Sequence, residues 1–183
     1  MAYTLEAFSA DCHRILQADP GAAGRDQVRQ KLEKLLMEDD FVAKYCGPEA
    51  TGGANVLYED PELGFQILSH IMDKGYAGGV HDHGASWAIY GQAVKHTDMT
   101  EWKRTDDGTQ DGKAQLEKDR TYRLERGQAG IFADHAIHSI AYPAGARFIR
   151  VTGVDLQSIP RGRYDVEAGT MVVETRPNFA GAA

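Results

Sequence analysis

Apolar residues in the first part of the chain recur every three to four positions. Leu5, Phe8, Cys12, Ile15 and Leu16 fall on one helical face, and the stripe stops at Asp19-Pro20-Gly21, which cannot continue it. Val28, Leu32, Leu35 and Leu36 resume the period, with Phe41, Val42 and Tyr45 beyond them. This predicts a second helix ending at Cys46-Gly47-Pro48, with Asp26 and its polar neighbours as the solvated face. From about residue 54 the texture becomes short apolar or alternating runs. Asn55–Tyr58 and Phe65–Met72 flank the turn Asp60-Pro61-Glu62-Leu63-Gly64. Further strands are predicted at 79–83, 86–95, 97–103, 120–125, 129–133, 136–142, 146–154 and 170–175. Arg104 to Gly112 reads as a polar hairpin loop, and the tail from Ala180 to Ala183 as frayed.

Many short strands without interleaved helical periodicity predict an all-β sandwich or barrel rather than βαβ units. The expectation is one domain over 1–183, a jelly-roll barrel at 54–175 capped by helices at 1–47. At 183 residues the chain has length enough for one substantial core. A net charge of −7 argues against nucleic acid or an anionic membrane as the main partner. Cys12 and Cys46 form neither a disulfide framework nor a CxxC site and are read as buried thiols in a reducing compartment. The N-terminus lacks the basic start and apolar core of a signal peptide, and no run is long enough to span a membrane, so a cytoplasmic location is expected.

The chemistry concentrates at Val80-His81-Asp82-His83. Strand alternation points His81 and His83 to one face and Asp82 to the other. Two imidazoles on one face form half of a metal site, and His138, in a later strand, is the candidate third ligand, leaving positions open for water, substrate or dioxygen. Alternation turns His135 away from His138. His70 is read as a satisfied polar residue, as is His96, which could instead face the barrel mouth, and His13 as exposed on the first helix. Trp87, Trp102 and Tyr142 are core candidates. Tyr90, whose strand follows the HxH turn, is kept as a candidate pocket hydroxyl, and Glu101 as a ligand only if its strand folds back across the barrel mouth.

These motifs resemble the cupin superfamily, whose first motif is G-x5-H-x-H followed by Glu and then Gly. Here Gly75 precedes His81-Asp82-His83 by the same interval, Gly91 follows, and Trp87 and Ala88 stand where Glu is expected. Gly127 and Ala133-Asp134-His135-Ala136-Ile137-His138 fill the second motif, with Ala133 for its Pro and His135 for its Gly. Loss of the carboxylate is similar to the three-histidine centre of the cysteine dioxygenase-like branch. The likeness spans roughly residues 25 to 155 and includes the helical N-terminal part and the Ala54-Asn55-Val56-Leu57 strand.

The resemblance implies a double-stranded β-helix and a mononuclear Fe(II) centre on His81, His83 and His138, acting with dioxygen on a small anionic organic molecule, a thiol among the candidates. Zinc, manganese or nickel are alternatives for the metal. A non-oxidative isomerase, lyase or hydrolase, or a metal-containing binding cupin without catalysis, are alternatives for the activity. The chain departs from cysteine dioxygenase where thiol chemistry is done. Ala54 matches the arginine that grips the substrate carboxylate, Ala88 the cross-linked cysteine, and Phe148-Ile149-Arg150-Val151-Thr152 the Ser-x-His-x-Tyr triad. Arg150 is therefore the candidate replacement clamp, with a surface charge as the equal alternative. A monomer or homodimer is expected, without nucleic-acid or membrane partners.

Overall fold

The computed structural model describes residues 2–175, so the Ala180–Ala183 tail lies outside the described residues. The helices are α1 (Leu5–Ala18), α2 (Ala22–Leu36) and α3 (Asp39–Cys46). The Thr4 hydroxyl caps α1 by accepting from the Ala7 amide, and Asp19-Pro20 ends it. The second helix divides in two at Met37 and Glu38. Continued straight, its buried stripe would pass from Leu36 to Asp39, Asp40 and Ala43. Instead the amides of Met37 and Glu38 bond three residues back, tightening the last turn. The chain then restarts with Asp39 and Asp40 in the first turn of α3, where the helix dipole favours them, and Phe41 reaches the core.

Twelve strands follow among the described residues: β1 (Gly53–Glu59), β2 (Gln66–Met72), β3 (Tyr76–Ala77), β4 (Val80–His81), β5 (Ala88–Val94), β6 (Thr97–Arg104), β7 (Leu116–Leu124), β8 (Ala129–Phe132), β9 (His138–Tyr142), β10 (Ala146–Thr152), β11 (Pro160–Asp165) and β12 (Thr170–Thr175). One antiparallel sheet has the order β1-β2-β10-β5-β8. The other has β12-β11-β4-β9-β6-β7, with β3 beside β9. The set β2-β10-β5-β8 facing β4-β9-β6-β7 is the strand order of a jelly roll, the expected double-stranded β-helix.

Among the strands, β7 and β11 depart most from the sequence reading. β7 starts four residues earlier than expected, because the polar run Leu116–Asp119 is an edge strand that needs only a ladder with β6 and no apolar face. β11 was not anticipated at all: Pro160-Arg161-Gly162-Arg163-Tyr164-Asp165 has no apolar alternation. It forms because β4 and β12 offer it a partner on each side.

Register sorts the first sheet into two faces. Ile67 and Ile71 of β2, Ile149 and Val151 of β10, and Ile89 and Ala93 of β5 are buried with Phe8, Leu32, Leu35 and Leu36 of the helices. Full burial of each such side chain contributes about 1.5–3 kcal/mol. A Cβ on Gly91 would lie 2.6 Å from Leu36 Cδ1 and 2.7 Å from Leu32 Cδ2, so glycine there lets α2 seat on β5. The other face looks into the barrel. Its register rows are Ala54–His70–Phe148–Gln92 and Val56–Leu68–Arg150–Tyr90–Gly130.

His13 is not fully solvated as expected. Its Nδ1 lies 2.9 Å from Asp60 Oδ2, tying α1 to the β1–β2 turn. Asp60 is buried and also accepts from the Tyr58 hydroxyl and the amides of Glu62 and Leu63. Burial alone would raise its carboxyl, but these donors hold it below the ordinary carboxylate range. A depressed folded pKa adds stability above the unfolded value and loses it as pH falls through the folded one. Asp60→Asn should therefore flatten the acid side of the stability profile. Urea midpoints between pH 6 and pH 2.5 would check this: wild type should lose more than the variant, and parallel curves would refute the assignment.

Candidate metal centre

β4 runs between β9 and β11, and its last residue, His81, is the register partner of His138 on β9. His83 lies two residues on, past the strand end, so strand alternation alone does not position it. The turn is held through Asp82. Its amide donates to Gly162 O at 3.1 Å. Its buried carboxylate accepts from the amides of Gly84 (2.7 Å) and Gly162 (2.8 Å) and from the Tyr164 hydroxyl (2.7 Å). Burial raises the Asp82 carboxyl, yet Tyr164 and the two amides keep it net below the ordinary range. A Cβ on Gly162 would come within 2.5 Å of Asp82 Oδ2, so only glycine allows this approach.

Asp82 thus faces β11 while the flanking imidazoles face the barrel. The ring centroids lie 4.6 Å apart for His81–His138, 4.7 Å for His83–His138 and 5.5 Å for His81–His83. One nitrogen from each lies within 4.8 Å of the others. Nδ1 of His81 sits 3.0 Å from Gly79 O, and Nδ1 of His138 3.1 Å from Ala136 O. A carbonyl only accepts, so each Nδ1 carries a proton, and Nε2 of each ring points the other way. His138 is fully buried; burial first, then the neighbouring His81, push its pKa down to about 3. Its Nε2 is buried without a hydrogen-bond partner. An orphaned, neutral imidazole lone pair aimed at two other imidazoles fits a divalent ion that takes nitrogen ligands: iron, zinc, manganese and nickel all qualify.

No carboxylate joins this group among the described residues. Glu101 is the register partner of His138 on β6, but Arg120 grips its carboxylate at 2.8 and 2.9 Å and the Tyr122 hydroxyl donates to it at 3.0 Å. The Tyr90 hydroxyl lies 3.2 Å from His83 Nε2, buried beside the centre. Phe132 covers His138 at 4.2 Å. Arg150 shares the inner-face row with Tyr90 and lies in a cleft at the edge of the barrel.

The other singled-out residues stand apart. His70 is buried and stacks on Phe148 with ring planes 8° apart. His96 sits in the β5–β6 turn near Asp98. His135 is exposed, with φ of 58°, at the position where the family motif carries glycine. Trp87 belongs to the helix-side core, Trp102 donates to Ser139, and Tyr142 is half-buried against Phe148. Gly162 and Tyr164 are the functional positions that sequence reasoning missed. The alternation of Arg161, Arg163 and Asp165 with Gly162 and Tyr164 was the available signal, a period of two without hydrophobicity.

No protein-family model matches the chain, and a search of curated proteins finds no match. Solved structures similar to the chain include proteins described as cupins. KdgF from Halomonas sp. is 18% identical, aligning 54% of this chain with 76% of its own at a TM-score of 0.40. A cupin superfamily protein from Desulfitobacterium hafniense is 16% identical over 58% of this chain and 84% of its own, at 0.42. The cupin domain of Schizosaccharomyces pombe Cnp3 is 12% identical over 61% and 68%, at 0.44. The jelly-roll assignment itself rests on the strand order.

Proposed function

We propose that this chain is a metal-dependent oxidoreductase that uses dioxygen on a small anionic organic molecule, a thiol among the candidates, with one Fe(II) on His81, His83 and His138. The observation that carries this reading is the convergence of three imidazoles, two of them oriented by backbone carbonyls, around the orphaned Nε2 of His138. When bound at three neutral ligands, the ion keeps its full charge and supplies dioxygen activation and acidification of a bound thiol.

The chain's own residues bind, orient and exclude water. Gly79 O and Ala136 O fix the ring orientations of His81 and His138, and Asp82 fixes the turn between His81 and His83. Phe132 and Phe148 wall the interior. The Tyr90 hydroxyl can hold a proton beside His83, and Arg150 supplies the cation for an anionic substrate. The partners in this reading are substrate and dioxygen, without nucleic acid or membrane, in a monomer or homodimer. Cys12 and Cys46, both buried with thiol pKa values raised by burial, suit a reducing compartment, and we place the protein in the cytoplasm.

Elemental analysis of protein purified without added metal, paired with an oxygen-electrode screen of small thiols and carboxylic acids, tests this. Iron together with substrate-dependent oxygen uptake is expected. Cysteine should be a poor substrate, because Ala54 and Ala88 provide neither a carboxylate clamp nor a cross-link sulfur. Turnover with zinc, manganese or nickel and no oxygen uptake would favour a Lewis-acid isomerase, lyase or hydrolase. Tight metal with no turnover would favour a binding cupin.

A further inference from the structure

Each of the other arginines among the described residues is engaged by a carboxylate or by backbone carbonyls. Arg150 has neither a hydrogen bond nor an ion pair, and its Nε is buried without a partner. Arg150 is half-buried, so its guanidinium keeps access to the cleft while its Nε lacks a partner, and an anion bound there would supply the missing charge-assisted hydrogen bonds. Arg150 is placed to receive that anion next to the chemistry. Its register partner on β5 is Tyr90, whose hydroxyl touches His83, and its partner on β2 is Leu68.

On its other side Arg150 lines a cleft of about 520 Å3 between β1, β2, β10 and the loop after β10. That volume is within the range of about 300–1,000 Å3 that takes drug-sized ligands, more than one small amino acid requires. Its apolar lining comes from Ala54, Val56, Leu68 and Leu156. Val56 is 56% exposed although it faces the inner side of the sheet, so β1 leaves an uncovered apolar shelf running out from Arg150. The cleft holds one acid, Asp155, against one cation. With Asp155 offsetting Arg150, the cleft tolerates a monoanion better than a dianion such as phosphate, and a planar guanidinium suits a carboxylate.

We infer that the substrate is a monocarboxylate with an extended apolar body, its carboxylate on Arg150 and its body lying over Ala54, Val56 and Leu68. This rests on the proposed function, which places the chemistry at the three histidines and so at the carboxylate end of the molecule, the end nearest Tyr90 and His83. In this arrangement Ala54 sets specificity: the arginine that cysteine dioxygenase carries here would close the shelf.

The test is calorimetric titration, under anaerobic conditions, of the protein as purified with straight-chain carboxylates from acetate to octanoate. Affinity should rise roughly two- to fourfold per methylene. Arg150→Met should weaken every member by roughly tenfold or more, with Arg150→Lys in between. Ala54→Trp, a change on an exposed strand, should erase the chain-length gain while acetate binds as before. A flat series, or a series indifferent to Arg150→Met, would overturn the inference. So would a dimer that Val56→Asp dissociates without altering carboxylate binding, since a second copy would then cover the shelf. Metal content of the same samples separates the two readings. Iron with a flat series defeats only the substrate assignment; a rising, Arg150-dependent series without metal defeats only the iron centre.

Discussion

Protein carrying His138→Ala is expected to purify with its metal occupancy reduced roughly tenfold or more, while His135→Ala retains the wild-type content. The contrast follows from placement. His138 is fully buried, is the register partner of His81, and directs an orphaned Nε2 at the other two rings. His135 is three residues away but sits in an exposed turn with a positive φ. His81→Ala and His83→Ala should behave like His138→Ala. The folded state should survive in all of them, because each change removes one ring and leaves the strand ladders intact. Elemental analysis with circular dichroism on the same samples checks both halves. Equal metal loss in all four variants would mean that the third ligand is misassigned, and unchanged metal in His138→Ala would end the metal-centre reading.

Asp82→Ala should show the largest combined effect on stability and metal. The substitution strands the Gly84 and Gly162 amides and the Tyr164 hydroxyl, all of which now donate to one buried carboxylate. Unsatisfied buried donors cost about 1–3 kcal/mol each, and some will find water, so a net loss of roughly 3–5 kcal/mol is expected. The turn that presents His81 and His83 loses its anchor at the same time, and metal affinity should fall roughly 10- to 100-fold, the range for groups that orient ligands. Tyr164→Phe removes one of the three bonds and should cost about 1 kcal/mol with a smaller loss of metal affinity. Urea unfolding and chelator competition read the two effects separately. If Asp82→Ala unfolds at the wild-type midpoint and binds metal normally, the β11 anchor is not what holds the centre.

Much of this was legible along the chain, since helix stripes and strand alternation are local properties. Leu5, Phe8, Cys12, Ile15 and Leu16 mark α1, and the turn at Asp60–Gly64 marks the β1–β2 hairpin. His81 and His83 stand two apart beside a glycine-rich approach. The break at Met37 was less visible, because each half of the stripe is helical by itself and only the requirement to keep Asp39 and Asp40 out of the core separates them. β11 left almost no local trace, because a strand that binds through backbone ladders and one tyrosine hydroxyl needs no apolar pattern.

The sequence by itself determined the helical cap, the succession of short strands and the identity of three histidines fit to converge, because periodicity and side-chain chemistry are written residue by residue. Only the tertiary structure decided what surrounds them. It put Tyr90 against His83, engaged Glu101 with Arg120 and Tyr122, buried His70 against Phe148 and left Arg150 half-buried without an ion pair. Strand register brings together residues tens of positions apart, and whether a charge is paired, stacked or free depends on the side chains that register sets beside it.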